Sequence, residues 1–248
     1  QSVYQYDLKS GTPTLAKTAK SGLLIHAPAD AGKAVGGSSP NELLIHGTEL
    51  FVSNANNDTV SVFDLASLKP RRTLKLTASP ELSKLRGVIP SGLAMNRAGT
   101  RLYVCESGLN SVAVVDPKSG RLIGRIPTGW FPMQVQISRD ERTLYVATQK
   151  GLGRGPRGNK TVWLPDDERK GFGEMPGMVN AVPVPTDSEL ADWTKEVAVN
   201  NGLVATAPKP ARPKAVPFKA GSKSPVIEHV VFITKENHTF DGIFGDHP

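Results

Sequence analysis

The chain has a single cysteine, Cys105, among its 248 residues, so no disulfide can form within it. One thiol does not fix the compartment, because proteins of oxidising compartments also occur without disulfides. No run of 18 apolar residues is present, which excludes a membrane-spanning helix. A secretory signal pattern is also missing, and the chain opens on Gln1 rather than Met, which reads as a processed or truncated start. Apolar residues make up only 38% and aromatic residues 6%.

The net charge of +7 would suit nucleic acid or an anionic surface. Much of that excess is local, however. Between 203 and 225, Lys209, Arg212, Lys214, Lys219 and Lys223 have no acidic neighbour and are interleaved with five prolines. Such a segment reads as an extended linker rather than part of a core. It lacks the series of aromatic platforms on which single strands stack, so nucleic acid is not an expected partner.

Turn formers are plentiful, with 24 Gly and 20 Pro, and point to short strands in an all-β architecture. Three segments repeat: ELFVSNANNDTVSVFDL from Glu49, RLYVCESGLNSVAVVDP from Arg101, and TLYVATQ from Thr143. Each follows a tight polar turn (HGTE, RAGT, RDER) and alternates apolar with polar residues, the pattern of half-buried antiparallel strands. The stretches NNDT and SGLN supply the turns to a following strand.

One unit reads as four strands beginning near Gly92, Leu102, Ser111 and Arg121, and the unit before it as strands near Glu42, Leu50, Thr59 and Arg71. Leu50 and Leu102 are 52 residues apart, and Leu102 and Leu144 are 42 apart. Four strands in that length match a β-propeller blade, with an irregular β-sandwich as the alternative. VYQYDL from Val3 resembles the third-strand stretch VSVFDL from Val60, so the chain opens inside a blade. The final unit has strands near Gln134, Leu144 and Gly177, with a Gly/Arg-rich insertion over 150–177 and no fourth strand. The total is about three and a half blades.

After the last strand, Thr186 and Glu189 form a capping box, and Leu190, Trp193 and Val197 fall on one helical face. Gly202 supplies the stop. The organisation expected is thus a partial propeller over 1–185, a capping helix over 186–202, a Pro/basic linker over 203–225, and the start of an α/β domain over 226–248.

That last stretch, VIEHVVFITKENHTFDGIFGDHP, begins with the apolar run Ile227–Ile233, expected as a central strand of a parallel sheet. Glu236 and Asn237 follow it, where open α/β sheets bind ligands. Thr239 is placed to cap a helical turn carrying Phe240, Ile243 and Phe244. A carboxylate beside an amide oxygen suits a divalent cation, although the same pair also suits a solvated turn. In the insertion, Arg154, Arg157 and Lys160 form a candidate anion-contacting loop that lacks the Gly-Lys-Ser/Thr ending of a phosphate-cradling motif. His26 and His46 have no ligand spacing, and Cys105 reads as a small buried hydrophobe.

LFVSN, LYVCES and LYVATQ resemble the YVTN-type repeat of bacterial propellers. Together with SPVIEHVVFITKENHTFDGIFGD, the whole chain is similar to a bacterial family that joins such a propeller to a phosphoesterase domain of the alkaline phosphatase superfamily. The resemblance implies a metal-dependent phosphatase or phosphodiesterase, periplasmic or secreted, acting on a phosphate ester. It implies Glu236 as a ligand of a divalent metal ion and Asn237 as a ligand or phosphate contact, with Thr239 and Asp241 supporting. Relatives often carry Arg where this chain has His238. The expected partners are the rest of the propeller and of the phosphoesterase domain. No catalytic nucleophile can be assigned within the chain. Two other readings stay open: a propeller that acts only as a ligand- or protein-binding module, and a ring completed by several chains.

Overall fold

The computed structural model describes residues 1–24, 37–152, 177–204, 223–224 and 226–232. The chain divides into two compact units: Gln1–Gly153 with Gly173–Leu203, and Arg154–Phe172 with Val204–Pro248.

The first unit is an array of antiparallel sheets. Strands β1 (Ser2–Asp7) and β2 (Thr14–Lys20) form a two-stranded sheet. A four-stranded sheet follows, with β3 (Pro40–His46), β4 (Glu49–Asn54), β5 (Thr59–Asp64) and β6 (Pro70–Lys75) in chain order. The next has the same order in β7 (Pro90–Met95), β8 (Leu102–Glu106), β9 (Ser111–Val115) and β10 (Leu122–Pro127). The last has three strands, β11 (Pro132–Ile137), β12 (Thr143–Thr148) and β13 (Met178–Pro183). The chain is therefore mainly β and partly propeller-like, with first-strand neighbours in contact: β7 lies against β3 on one side and β11 on the other. The opening two-strand sheet, and a closing sheet that has three strands among the described residues, agree with the sequence reading.

Alternation explains the packing. Phe51, Val60 and Val62 of the second sheet meet Leu93, Leu102 and Val104 of the third. Tyr103, Val112 and Val114, on the other side of the third sheet, meet Val135, Leu144 and Val146 of the fourth. Period two thus gives every interior sheet two apolar faces, each covered by a neighbour. A buried Val or Leu in such a place contributes about 1.5–3 kcal/mol.

The hairpin turns are held by carboxylates. Asp64 accepts from the amide and hydroxyl of Ser67, and Asp116 from the amide of Lys118. Glu49 accepts from both terminal guanidinium nitrogens of Arg72, at 2.6 and 2.8 Å. The Arg72 hydrogen bonds hold the Glu49 carboxyl below its usual range, as the Ser67 bonds do for Asp64 and the Lys118 amide for Asp116. Asp140, held by the Ser138 hydroxyl, and Glu189, held by the Thr186 amide, shift the same way. A folded-state pKa below the unfolded one means that the unfolded chain binds more protons in acid. This stability is present above the ordinary carboxylate range, near pH 4, and is lost as pH falls through it. Thermal melts should show Tm falling below about pH 4; a Tm that rises on acidification would contradict the assignment.

Helix α1 (Asp187–Asn200) has the expected cap: the Thr186 hydroxyl accepts from the Glu189 amide, and the Glu189 carboxylate accepts from the Thr186 amide at 2.9 Å. Such a cap contributes about 1 kcal/mol. Leu190 and Val197 are buried, and Trp193 packs against the same cluster. The helix rests on β10 at Gly124, where a Cβ would come 2.6 Å from the Leu190 Cγ. Its Thr194 hydroxyl accepts from the Arg125 amide at 2.8 Å. The left-handed stop is Gly202, at φ +64°.

In the second unit, the strand expected at Ile227–Ile233 is not formed over its described part, 227–232. Val230, Val231 and Phe232 are exposed, and among the described residues nothing pairs with them. An apolar run becomes a strand only against neighbours that take its backbone bonds and cover its faces. Nearly all of the 203–225 linker and of the 150–177 insertion lies outside the described residues.

Candidate functional site

The loops that join second to third strands, and each sheet to the next, share one construction. Every first strand begins at a proline, Pro40, Pro90 or Pro132, and the residue before it is left-handed: Ser39 at φ +50°, Ile89 at +55° and Phe131 at +58°. A β-branched residue before proline strongly disfavours this conformation, so Ile89 is strained and must be held. Asp58 holds it. Its carboxylate accepts from the amides of Gly87, at 2.9 Å, and Ile89, at 3.0 Å. Asn110 does the same for the Phe131 amide, at 2.9 Å. Asp58 and Asn110 end the second-to-third-strand turns of their own sheets, so each sheet fastens the entry of the next. Gly108 allows the close approach, since a Cβ there would run into the Gly87 carbonyl.

Beneath these loops lie buried polar groups. Glu106 accepts from the Arg125 guanidinium at 2.7 and 3.0 Å and from the Ser111 hydroxyl at 2.8 Å. Arg125 also donates to the Thr77 carbonyl at 2.6 Å, tying the third sheet to the segment that leaves the second. Ser91 and Ser107 both donate to the Pro132 carbonyl, at 3.0 and 2.6 Å. Asn54 collects Ser21, Thr59 and Ser61 at the same level one sheet earlier.

On the loop surface is a mostly apolar cavity of about 200 Å³, lined by Leu82, Val88, Leu109 and Leu203 with Arg86 and Asn201. Asn201, at the end of α1, donates to the Leu109 carbonyl at 2.9 Å and fixes that wall. At the root of the insertion, Lys150 lies 4.8 Å above the Phe131 ring, and Trp130 is half exposed beside it. Nothing among these groups is an activated nucleophile. Cys105 is fully buried, and desolvation raises its thiol pKa well beyond the usual range.

The candidate metal ligands Glu236 and Asn237, with Thr239 and Asp241, lie outside the described residues, as do Arg154, Arg157 and Lys160. Among the described residues no three His, Cys, Asp or Glu gather as a metal would need. No described helix is long and apolar enough to cross a membrane. The sequence reading did not single out Asp58, Asn110, Glu106, Arg125 or Trp130. A proline at the head of each unit (SSP, VIP, WFP), with Asp58 before β5 and Asn110 before β9, was the signal for the loop construction.

No protein-family model matches the chain, and no curated protein matches it. Part of the chain is similar to hydrazine synthase of Kuenenia stuttgartiensis, at 28% identity over 48% of this chain and 31% of that one, with a TM-score of 0.40. A protein from Lactobacillus plantarum matches at 18% identity over 58% of this chain and 43% of that one, with a TM-score of 0.44. Catalytically inactive virginiamycin B lyase from Staphylococcus aureus matches at 14% identity over 47% and 36%, with a TM-score of 0.37. The chain thus spans less than half the length of each of these three solved structures. Likeness of this extent assigns neither family nor activity, and the propeller-like description rests on the chain's own repeated sheets.

Proposed function

We propose that the chain is the propeller-bearing part of a metal-dependent phosphoesterase, periplasmic or secreted, whose metal site begins at Glu236 and Asn237. The observation that carries this reading is order. Three YVTN-like units, a capped helix and the stretch KENHTFDGIFGD follow one another as in the family the sequence resembles. Glu236 and Asn237 would hold a divalent cation through a carboxylate and an amide oxygen. When bound, such a cation polarises a phosphoryl oxygen and lowers the barrier to attack by a hydroxyl. The propeller loops, with Arg86 and Lys150 among their cations, would receive the anionic substrate or the adjoining domain.

The protein that carries this chain should hydrolyse p-nitrophenyl phosphate mono- or diesters when a divalent cation is added. Glu236→Gln should lower kcat/KM by more than about 100-fold, beyond what changes around a metal's ligands cost. Full activity in Glu236→Gln, with the melting curve unchanged, would sink the metal-ligand role. A second reading, a propeller that only binds, is favoured by the cavity beside Arg86 and the exposed Trp130. It predicts no cation-dependent turnover in the wild-type protein.

A further inference from the structure

The loop face carries an addition that the repeat itself does not need. β6 joins β7 through residues 76–89, whereas β10 joins β11 through residues 128–131 alone. This longer connection accounts for the spacing of 52 residues between Leu50 and Leu102, against 42 between Leu102 and Leu144. Long connections in a compact array usually serve binding.

Both ends of this loop are fastened by buried charged groups. Arg125 donates to the carbonyls of Thr77 and Ala78, at 2.6 and 3.3 Å. Asp58 accepts from the amides of Gly87 and Ile89 at the other end. Arg125 and Asp58 are both buried. Between these clamps the chain turns at Pro80–Leu82. Leu82, Leu85 and Val88 of the loop then line the cavity together with Leu109, from the turn between β8 and β9, and Leu203, just after α1. Three segments far apart in sequence thus meet around one apolar hollow.

Positive charge is left over at its rim. Arg86 lines the cavity and is exposed, and among the described residues neither it nor Lys84 makes an ion pair. Two acids that touch this loop are engaged elsewhere. Asp58 faces the Gly87 and Ile89 amides, and Glu81 is held below its usual range by its own amide and the Ser79 hydroxyl. An apolar hollow with one unpaired guanidinium is complementary to a ligand with an apolar body and one anionic group.

We propose that the cavity between the 76–89 loop and the end of α1 binds a small amphipathic carboxylate, its apolar body against Leu82, Val88, Leu109 and Leu203 and its carboxylate on Arg86. The volume of about 200 Å³ lies below the roughly 300–1,000 Å³ of drug-sized sites, so the body is a short alkyl chain or one ring. The site stands apart from the phosphoesterase reading and gives the binding reading a ligand class. Its failure would leave the cation-dependent hydrolysis assay untouched.

The test titrates the full 248-residue chain, isotope-labelled, with hexanoate and with phenylacetate in amide NMR spectra. Saturable shifts are expected at the amides of Gly87, Val88, Leu109 and Leu203, with a Kd of about 1 mM or below, as ligands of this size reach. Hexanol has the body without the charge, and acetate the charge without the body; each should bind at least about tenfold more weakly than hexanoate. Arg86→Gln should weaken hexanoate by about tenfold and leave hexanol unchanged, and Arg86→Lys, which keeps the charge, should restore most of the loss. Leu85→Asp should weaken hexanoate too, by placing a like charge beside it. Arg86 and Leu85 are exposed, so melting curves should match the wild type; should one variant unfold, the other decides. No saturable shift by about 10 mM, ten times the expected Kd, would overturn the proposal. Shifts centred on other residues, hexanol binding as tightly as hexanoate, or a folded Arg86→Gln that binds hexanoate like the wild type would overturn it equally.

Discussion

Glu106→Gln should destabilise the sheet array by about 3–5 kcal/mol, the range for breaking one partner of a buried ion pair. The side chains of Glu106 and Arg125 are 0% and 7% exposed, so water cannot replace the lost contact. Arg125 would keep its bonds to the Thr77 and Ala78 carbonyls but lose its counter-charge, leaving a guanidinium in a low-dielectric interior. The neighbouring sheets show that the charge is not required by the fold. Asn54 and Thr148 hold the same second-strand position and satisfy it with neutral hydrogen bonds. The double change Glu106→Gln with Arg125→Met should therefore recover much of the loss, since paired removal of buried charges is often near neutral. Urea unfolding of the two single variants and the double decides it. A single variant within about 0.5 kcal/mol of wild type, the scale of an inert surface change, would mean that the pair is not buried as described.

Tyr103→Ala should cost about 3–5 kcal/mol, as for other large rings removed from a core. Tyr145→Ala, at the same place in the next sheet, should stay within about 0.5 kcal/mol in the dilute chain. The rings differ in cover, not in register. Tyr103 packs among Val112, Val114, Leu144 and Val146, so its removal opens a cavity that closely packed β-sheets cannot collapse. Among the described residues no following sheet covers Tyr145, which is 47% exposed. Equilibrium unfolding at low protein concentration measures both, and equal losses would remove the premise that the last sheet's outer face is uncovered.

The repeated sheets were legible because short-range signals suffice for them. Alternation in LYVCES and SVAVV, together with the turns at Gly47, Gly99 and NNDT, sets strand, hairpin and register without reference to distant residues. The helix was legible for the same reason, through Thr186 and Glu189. What escaped depends on partners that meet only after the sheets stack. Glu106 and Arg125 lie 19 residues apart on different strands, and nothing local marks them as a pair. Ile89 in a left-handed conformation contradicts its own preference and is intelligible only once Asp58 is seen to hold its amide. The run Ile227–Phe232 shows the converse: its composition suits a strand, but composition cannot supply the neighbour that a strand needs. The candidate metal ligands Glu236 and Asn237 were read from motif resemblance, and they fall outside the described residues.

Asp58 and Asn110 spend their hydrogen bonds on amides that belong to the following sheet. A sheet that detaches therefore strands the buried Asp58 carboxylate or the Asn110 amide oxygen on one side and strained, unbonded amides on the other. Neighbouring sheets are in this way thermodynamically coupled, and the array behaves as a one-dimensional series of units whose stability is set by the junctions as much as by the units. The third sheet, clasped at both of its junctions, becomes the last to open, and local unfolding is confined to the two ends.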